Sequence, residues 1–474
     1  MSDTIFALST VPGRSGVAVV RLSGPTAGPA IRDLTGRDLP APRTARLRTL
    51  VAPEDGAVID RALVLWFPGP RSFTGEDMAE FHLHGGRAVI DGLTEALSGR
   101  DGVRPAEPGE FARRAFDNGK LDLTAVEGLA DLVNAETGAQ RRQALRQMDG
   151  HLANRIEDWS RTLTRGLAHV EAALDFPDED VPDDLLDRVL PAVEAVRAAV
   201  HEVLAEGRRG EILRDGVEVA ILGPPNVGKS SILNALARRD VAIVSDFAGT
   251  TRDVVEVRLD LGGVPAIVAD TAGLRDLSAG DGSDLVGETG SGSGSRIVEL
   301  EGIRRSLDRA ERADIKIVVQ DVSTWPTVDP ETARLMTGTG VLVLNKLDLV
   351  GDESTGGAGG GEDLAGTGVD RTMSWPAVRI SATEGWGLDQ LLTCLEGAVQ
   401  KIAGTGGDAS LTRARHRRAL EDCVAALDRV RDAGLPELAA EDLRSAVRAL
   451  GRLTGRVDVE DILDRIFRDF CIGK

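Results

Sequence analysis

Gly223-Pro224-Pro225-Asn226-Val227-Gly228-Lys229-Ser230 is the stretch that decides the fold. Its spacing, G-x-x-x-x-G-K-S, is that of a phosphate-binding loop. An apolar run from Val217 to Leu222 leads into it, and Ser231-Ile232-Leu233-Asn234-Ala235-Leu236-Ala237 follows with helix-forming composition. A strand, a glycine-rich turn and a helix in that order aim backbone N–H groups at a phosphate. Lys229 brings a point charge for the β- and γ-phosphates, and Ser230 a hydroxyl for Mg2+. A plain glycine-rich turn before a helix would leave the next hundred and more residues unexplained.

Working outward, the other parts of a GTP site follow in order. Ser245-Asp246-Phe247-Ala248-Gly249-Thr250-Thr251-Arg252-Asp253 reads as a mobile loop whose threonine can reach Mg2+ and sense the γ-phosphate. Strands expected over 254–261 and 266–269 end in Asp270-Thr271-Ala272-Gly273. There Asp270 is expected to hold the Mg2+ shell through water, and the Gly273 amide to face the γ-phosphate. Ile315 to Val319 is another buried strand, and Val341 to Leu344 runs into Asn345-Lys346-Leu347-Asp348. The Asp348 carboxylate can accept the N1 and N2 hydrogens of guanine, which adenine does not offer. An unpaired acceptor of this kind is worth a factor of about 10⁴ to 10⁵ in discrimination. Ser381-Ala382-Thr383, after a strand over 377–380, completes the guanine pocket.

Leu274 follows the D-x-x-G element, where many GTPases carry a water-positioning glutamine. Arg252 and Arg275 are either a catalytic finger or ordinary switch residues. Asn226 offers a neutral oxygen; with carbonyls of the 245–250 loop it can line a monovalent cation, and a plain loop hydrogen bond accounts for it equally well. Two stretches, 278–295 and 351–368, are Gly/Ser/Asp-rich inserts expected to be disordered.

The chain has 474 residues, so two to four domains are expected. Residues 1–118 read as mixed α/β, with strands at 17–22 and 62–67. Strand alternation puts Glu80, His82 and His84 on one face, either a solvated face or a polar pocket. Residues 119–214 turn to helical periodicity, with one long helix expected from Gln140 to Ala173. Residues 215–403 form the nucleotide domain. Residues 404–474 are helical again and are expected to pack on 119–214, with the nucleotide domain inserted between two halves of one helical domain. Arg413, Arg415, Arg417 and Arg418 form a dense basic cluster, read as a solvated helix end or a local RNA or partner contact.

Net charge is −20, which argues against a broad nucleic-acid-gripping face. The three cysteines, Cys394, Cys423 and Cys471, have neither disulfide-framework nor metal spacing, in keeping with a reducing compartment. The opening Met1-Ser2-Asp3-Thr4 has no basic n-region and no apolar run reaches spanning length. A cytoplasmic location with no membrane segment is therefore expected.

Taken together, the chain resembles the MnmE (TrmE) family of tRNA-modification GTPases. The marks are Phe73-Thr74-Gly75-Glu76-Asp77, Arg104-Pro105-Ala106-Glu107-Pro108-Gly109-Glu110-Phe111, Asn118-Gly119-Lys120-Leu121-Asp122-Leu123, Ala248-Gly249-Thr250-Thr251-Arg252-Asp253 and Cys471-Ile472-Gly473-Lys474. The resemblance implies an α+β folate-binding domain, a discontinuous helical domain and a Ras-like G domain inserted in it. It implies a homodimer joined through the N-terminal domains, and a heterotetramer with the flavoprotein MnmG acting on tRNA. It implies a K+ site at Asn226, Ser245, Phe247 and Thr250, and Mg2+ on Ser230 and Thr251. It places the catalytic acid at Glu299, with Glu301 the neighbour to weigh, and 5-formyltetrahydrofolate at Arg21, Glu80, Lys120 and Lys474. The implied product is an aminomethyl or carboxymethylaminomethyl group on C5 of the wobble uridine. An Era- or Der-like ribosome-assembly switch is the alternative; its G domain would look similar, but an RNA-binding domain with a G-x-x-G loop would follow.

Overall fold

The computed structural model describes the whole chain except residues 1–2, 176–184, 244–255, 271–309, 351–374, 405–410, 458–462, 464–465, 468–469, 471–472 and 474. By contact it separates into two compact units. One draws on 1–133, 144–202 and 415–474, the other on 134–143 and 203–414.

The first unit begins with a six-stranded sheet built from β1 (Thr4–Leu8), β2 (Ser15–Ser23), β3 (Arg46–Val51), β4 (Val58–Phe67), β5 (Met78–Gly85) and β6 (Val103–Pro105). The spatial order is β3-β4-β5-β2-β1-β6. Pairing is antiparallel except between β1 and β6. Alternation explains which side each residue takes. Ala79, Phe81 and Leu83 of β5 go inward with Val20, Leu22 and Val64, under Ile31 of α1 (Ala27–Thr35) and Leu93 of α2 (Arg87–Ser98). Glu80, His82 and His84 take the opposite face.

After α3 (Glu110–Asp117) come α4 (Leu123–Asn134) and α5 (Gly138–Met148). The single helix expected from 140 to 173 is instead two. α5 ends, Gly150 adopts φ +79°, and α6 (His151–Asp175) starts afresh. That left-handed turn is open to glycine without the Cβ penalty other residues meet there. Within the first unit, α6 and α7 (Leu185–Ala205) meet α12 (Ala414–Asp432) and α13 (Pro436–Thr454). Arg444 of α13 pairs with Glu171 of α6 at 2.8 Å, and Arg197 of α7 with Asp428 of α12 at 2.6 Å. Further on, Leu463, Phe467 and Phe470 bury themselves against Ala112, Leu123 and Val126. Gly109, at φ +68°, makes this approach feasible, since a Cβ there would lie 2.7 Å from the Phe467 carbonyl oxygen.

The second unit contains α8 (Arg209–Asp215) and a sheet of β7 (Val217–Leu222), β8 (Glu256–Leu261), β9 (Val264–Asp270), β10 (Ile315–Asp321), β11 (Thr339–Asn345) and β12 (Ala377–Arg379). The order is β12-β11-β10-β7-β9-β8, parallel but for the β8–β9 pair. Parallel strands are covered on both sides, which is why β10 and β11 are buried almost end to end. Val219, Ile221, Ile317, Val343 and their neighbours face α9 (Lys229–Ala237) and α11 (Leu388–Ala403). Ala220, Leu222, Val318 and Leu344 fill the other side, where α10 (Pro330–Leu335) contributes Ala333 and Leu335. The carboxyl ends of β7, β10, β11 and β12 therefore open at one edge, the place where doubly wound sheets bind ligands.

Candidate nucleotide-binding site

The loop after β7 takes a shape that its glycines permit. Gly223 sits at φ +146° and a Cβ there would lie 2.3 Å from the Val319 carbonyl oxygen. Gly228, at φ +95°, caps the start of α9, and its Cβ would lie 2.3 Å from Asn345 Nδ2. Asn226 between them is also left-handed, at φ +62°. The Lys229 ammonium folds back over the loop, donating to the Gly223 and Pro224 carbonyls at 3.0 Å each. Burial pushes its pKa down, and the charge of Asp270 works against that shift.

Ser230 Oγ donates to Asp270 Oδ2 at 2.6 Å. The other oxygen, Oδ1, is buried and has no hydrogen-bond partner among the described residues. A buried carboxylate oxygen without a donor is costly. A hydroxyl and an unsatisfied carboxylate side by side are a hard oxygen pair suited to Mg2+ or its water shell. These residues fit the ion.

Asn345, at the end of β11, braces two loops. Its Nδ2 donates to the Val227 carbonyl at 2.8 Å, and its Oδ1 accepts from the Ala382 amide at 3.1 Å. The loops after β7 and β12 are thus joined through one buried side chain. Ser381 Oγ donates to Asp348 Oδ1 at 2.6 Å, fixing the orientation of that carboxylate. Lys346 lies in the left-handed region at φ +68°, and its ammonium is 2.8 Å from Asp321 Oδ2. Burial would raise the Asp321 pKa, but Lys346 and the Ser323 donors prevail and hold it down at about 2. Asp321 was not anticipated from sequence. Its signal was a lone carboxylate closing the apolar strand Ile315-Lys316-Ile317-Val318-Val319-Gln320.

Asn226 to Ser231, Asp270, Asn345, Lys346, Asp348, Ser381 and Ala382 are thus described, on the loops that follow β7, β9, β11 and β12 or at their strand ends. Ser245 to Thr251, Thr271 to Gly273, Glu299 and both Gly/Ser-rich inserts lie outside the described residues.

In the first unit, Arg21 Nε donates to Glu80 Oε1 at 3.0 Å across β2 and β5. His82 Nε2 is 3.3 Å from Glu80 Oε2, and the Arg21 guanidinium stands over the Phe73 ring at 5.9 Å. A carboxylate, a cation and an aromatic face on one patch suit a pterin's polar edge and flat ring. Lys120 is exposed and its stem runs close to Gly75, while Asn118 donates to the Thr74 carbonyl at 2.7 Å. Lys474 and Cys471 lie outside the described residues.

Part of the basic cluster has an internal task. Arg415 forks onto the buried Glu127 of α4, at 2.7 and 2.6 Å, so it is no solvated helix end. Among the described residues no group of His, Cys, Asp and Glu side chains is arranged to hold a metal, and no helix is long and apolar enough to cross a membrane.

Comparison with known proteins finds matches over the whole chain. The family model for the MnmE helical domain matches residues 123–471, and that for the GTP-binding protein TrmE N-terminus matches residues 4–120. The tRNA modification GTPase MnmE of Paramagnetospirillum magneticum is 52% identical over 475 residues, covering 100% of both chains. That of Parvibaculum lavamentivorans is 51% identical, again over 100% of both. The mitochondrial 5-taurinomethyluridine-[tRNA] synthase subunit GTPB3 of Danio rerio is 48% identical over 100% of this chain and 93% of its own.

Proposed function

The chain belongs to the MnmE family of tRNA modification GTPases, and from that premise we propose that it hydrolyses GTP to drive modification of C5 of the wobble uridine in certain tRNAs. It acts as a homodimer with a flavoprotein partner of the MnmG kind, in a heterotetramer. Together they install an aminomethyl or carboxymethylaminomethyl group. The helical domain is discontinuous in this reading, 119–214 with 404–474, and 215–403 is the inserted G domain.

The observation that carries the nucleotide part is the Asn345 brace. It sets the base-reading carboxylate Asp348 and the phosphate loop in one frame. Lys229 neutralises phosphate charge, and Ser230 with Thr251 holds Mg2+, whose chemistry is to draw charge off the β- and γ-phosphate oxygens. Glu299 orients the attacking water. Asn226, with Ser245, Phe247 and Thr250, holds K+ where a positive charge offsets the charge that builds up as the γ-phosphate leaves. Arg21, Glu80, Lys120 and Lys474 hold a 5-formyltetrahydrofolate-type donor, the carboxylate against the pterin's donor edge and the cations toward its glutamate.

The test is mass spectrometry of tRNA nucleosides from a strain lacking the gene, complemented with wild type or with Lys229→Ala. C5-substituted wobble uridines should vanish and return only with the wild type. Their persistence in the deletion strain would refute the reading.

A further inference from the structure

Two helices of the first unit face each other with matching stripes. On α12 the stripe is Asp422, Ala425, Ala426 and Arg429; on α13 it is Ser445, Arg448, Ala449 and Arg452. Each follows the i, i+3, i+4, i+7 pattern that places residues on one side of a helix. The alanines make a low floor, and three arginines and a serine rise around a groove of about 330 Å³. Arg429 reaches Asp442 outside the groove, and Arg452 reaches Asp422 of the facing stripe, both at 2.7 Å. Arg448 makes no ion pair or hydrogen bond among the described residues.

Charge around the groove runs against that of the chain. The groove lining carries three arginines and one aspartate, in a molecule whose net charge is −20. Only Asp422 among the lining residues is acidic. An anion seated here meets three guanidinium forks and a hydroxyl. A guanidinium presents paired N–H donors that match the oxygens of a phosphate. The Arg452–Asp422 pair is exposed on both sides, so it is worth little and can be exchanged for a phosphate.

We propose that this groove between α12 and α13 is a phosphate-backbone contact for the tRNA substrate. The proposal rests on the tRNA-modifying reading above. It assigns the RNA contact to a narrow, local surface, which a chain with a net charge of −20 needs if it is to touch RNA at all. An acidic protein segment is the competing occupant. A groove floored by alanine offers no apolar pocket for an anchoring side chain, which favours the phosphate.

The experiment measures binding of unmodified substrate tRNA to the full-length protein across a salt series, for wild type, Arg448→Ala, Arg448→Lys and Asp422→Asn, with GTP hydrolysis measured on each. We expect Arg448→Ala to weaken tRNA about tenfold and to lower the slope of log affinity against log salt by about one. Arg448→Lys should recover part of the loss, and GTP hydrolysis should be unchanged. Asp422→Asn removes the groove's one carboxylate and should tighten binding, a gain that a misfolded variant would not show. If wild type binds tRNA and Arg448→Ala and Asp422→Asn bind it equally well, the groove is not the contact, while the tRNA reading survives. If wild type binds no tRNA at any salt, the tRNA reading itself fails and the groove proposal with it.

Discussion

His416 Nε2 lies 2.8 Å from Glu127 Oε2, although 289 residues separate them, and both side chains are fully shielded from solvent. Arg415 places two more donors on the same carboxylate. A buried charge is tolerable only when its partners stay in place, and removing one of them costs about 3 to 5 kcal/mol. Glu127→Ala should therefore destabilise the first unit by that amount, measured as a lower urea midpoint by circular dichroism. GTP binding, assigned above to the second unit, is expected to survive it.

The same site has a pH signature. Burial acts to raise the Glu127 pKa, but His416 and Arg415 overcome it and hold the carboxyl well below its ordinary value of 4.5. A carboxyl with a depressed folded pKa binds more protons when unfolded. Its contribution is complete above about pH 4.5 and is lost as pH falls below that. The stability gap between wild type and Glu127→Gln should shrink as pH falls below about 4.5. A gap that widened in acid would contradict the assignment.

This site also shows what the sequence withheld. Arg413 to Arg418 reads as a basic cluster, and nothing local reveals that Arg415 and His416 point inward at Glu127. The information lies in a partner on another helix, and a sequence by itself does not display long-range pairs. The loops of the candidate nucleotide site were legible because backbone turns and strand ends are local in sequence. Gly223, Gly228, Asn345 and Asp348 announce themselves by spacing. Alternation alone puts Glu80 and His82 on one sheet face, while Arg21 enters only as a folate residue that the resemblance implies, and its pairing with Glu80 shows only in the fold. The break at Gly150 was missed because the helical stripe continues on both sides of it, and a left-handed glycine leaves no mark in a periodicity.

Ser381 holds Asp348 by one hydrogen bond of 2.6 Å. Ser381→Ala leaves the carboxylate free to turn away from the base. GTP affinity should fall about tenfold, near 1.4 kcal/mol, with ATP binding unaffected. Titration with fluorescent guanine and adenine nucleotides checks both halves.

Gly228→Ala drives a methyl group into Asn345 Nδ2 and imposes a left-handed strain on alanine. Both the Val227 and the Ala382 hydrogen bonds of Asn345 are then disturbed. We expect GTP affinity to drop by about a hundredfold or more while thermal unfolding of the first unit stays unchanged.

Leu274 cannot position water, and Asn226 is the neutral oxygen available in the phosphate loop. GTP turnover should be much faster in KCl than in NaCl at equal ionic strength, and Asn226→Ala should remove the difference. Equal rates for the wild type in the two salts would rule out a cation acting in place of an arginine finger.

Ser9 Oγ donates to the Gly473 carbonyl at 3.1 Å, and a Cβ on Gly473 would lie 2.7 Å from the carbonyl oxygen of Leu8. These groups are 464 residues apart. At ribosomal speeds of about 5 to 20 residues per second, roughly 20 to 90 s pass between their syntheses. The nascent sheet must wait that long for its last neighbour, so a stalled or truncated message leaves the Leu8–Ser9 corner without it. A peptide carrying this late-made segment, supplied in trans, would be the natural way to ask whether the corner stays receptive.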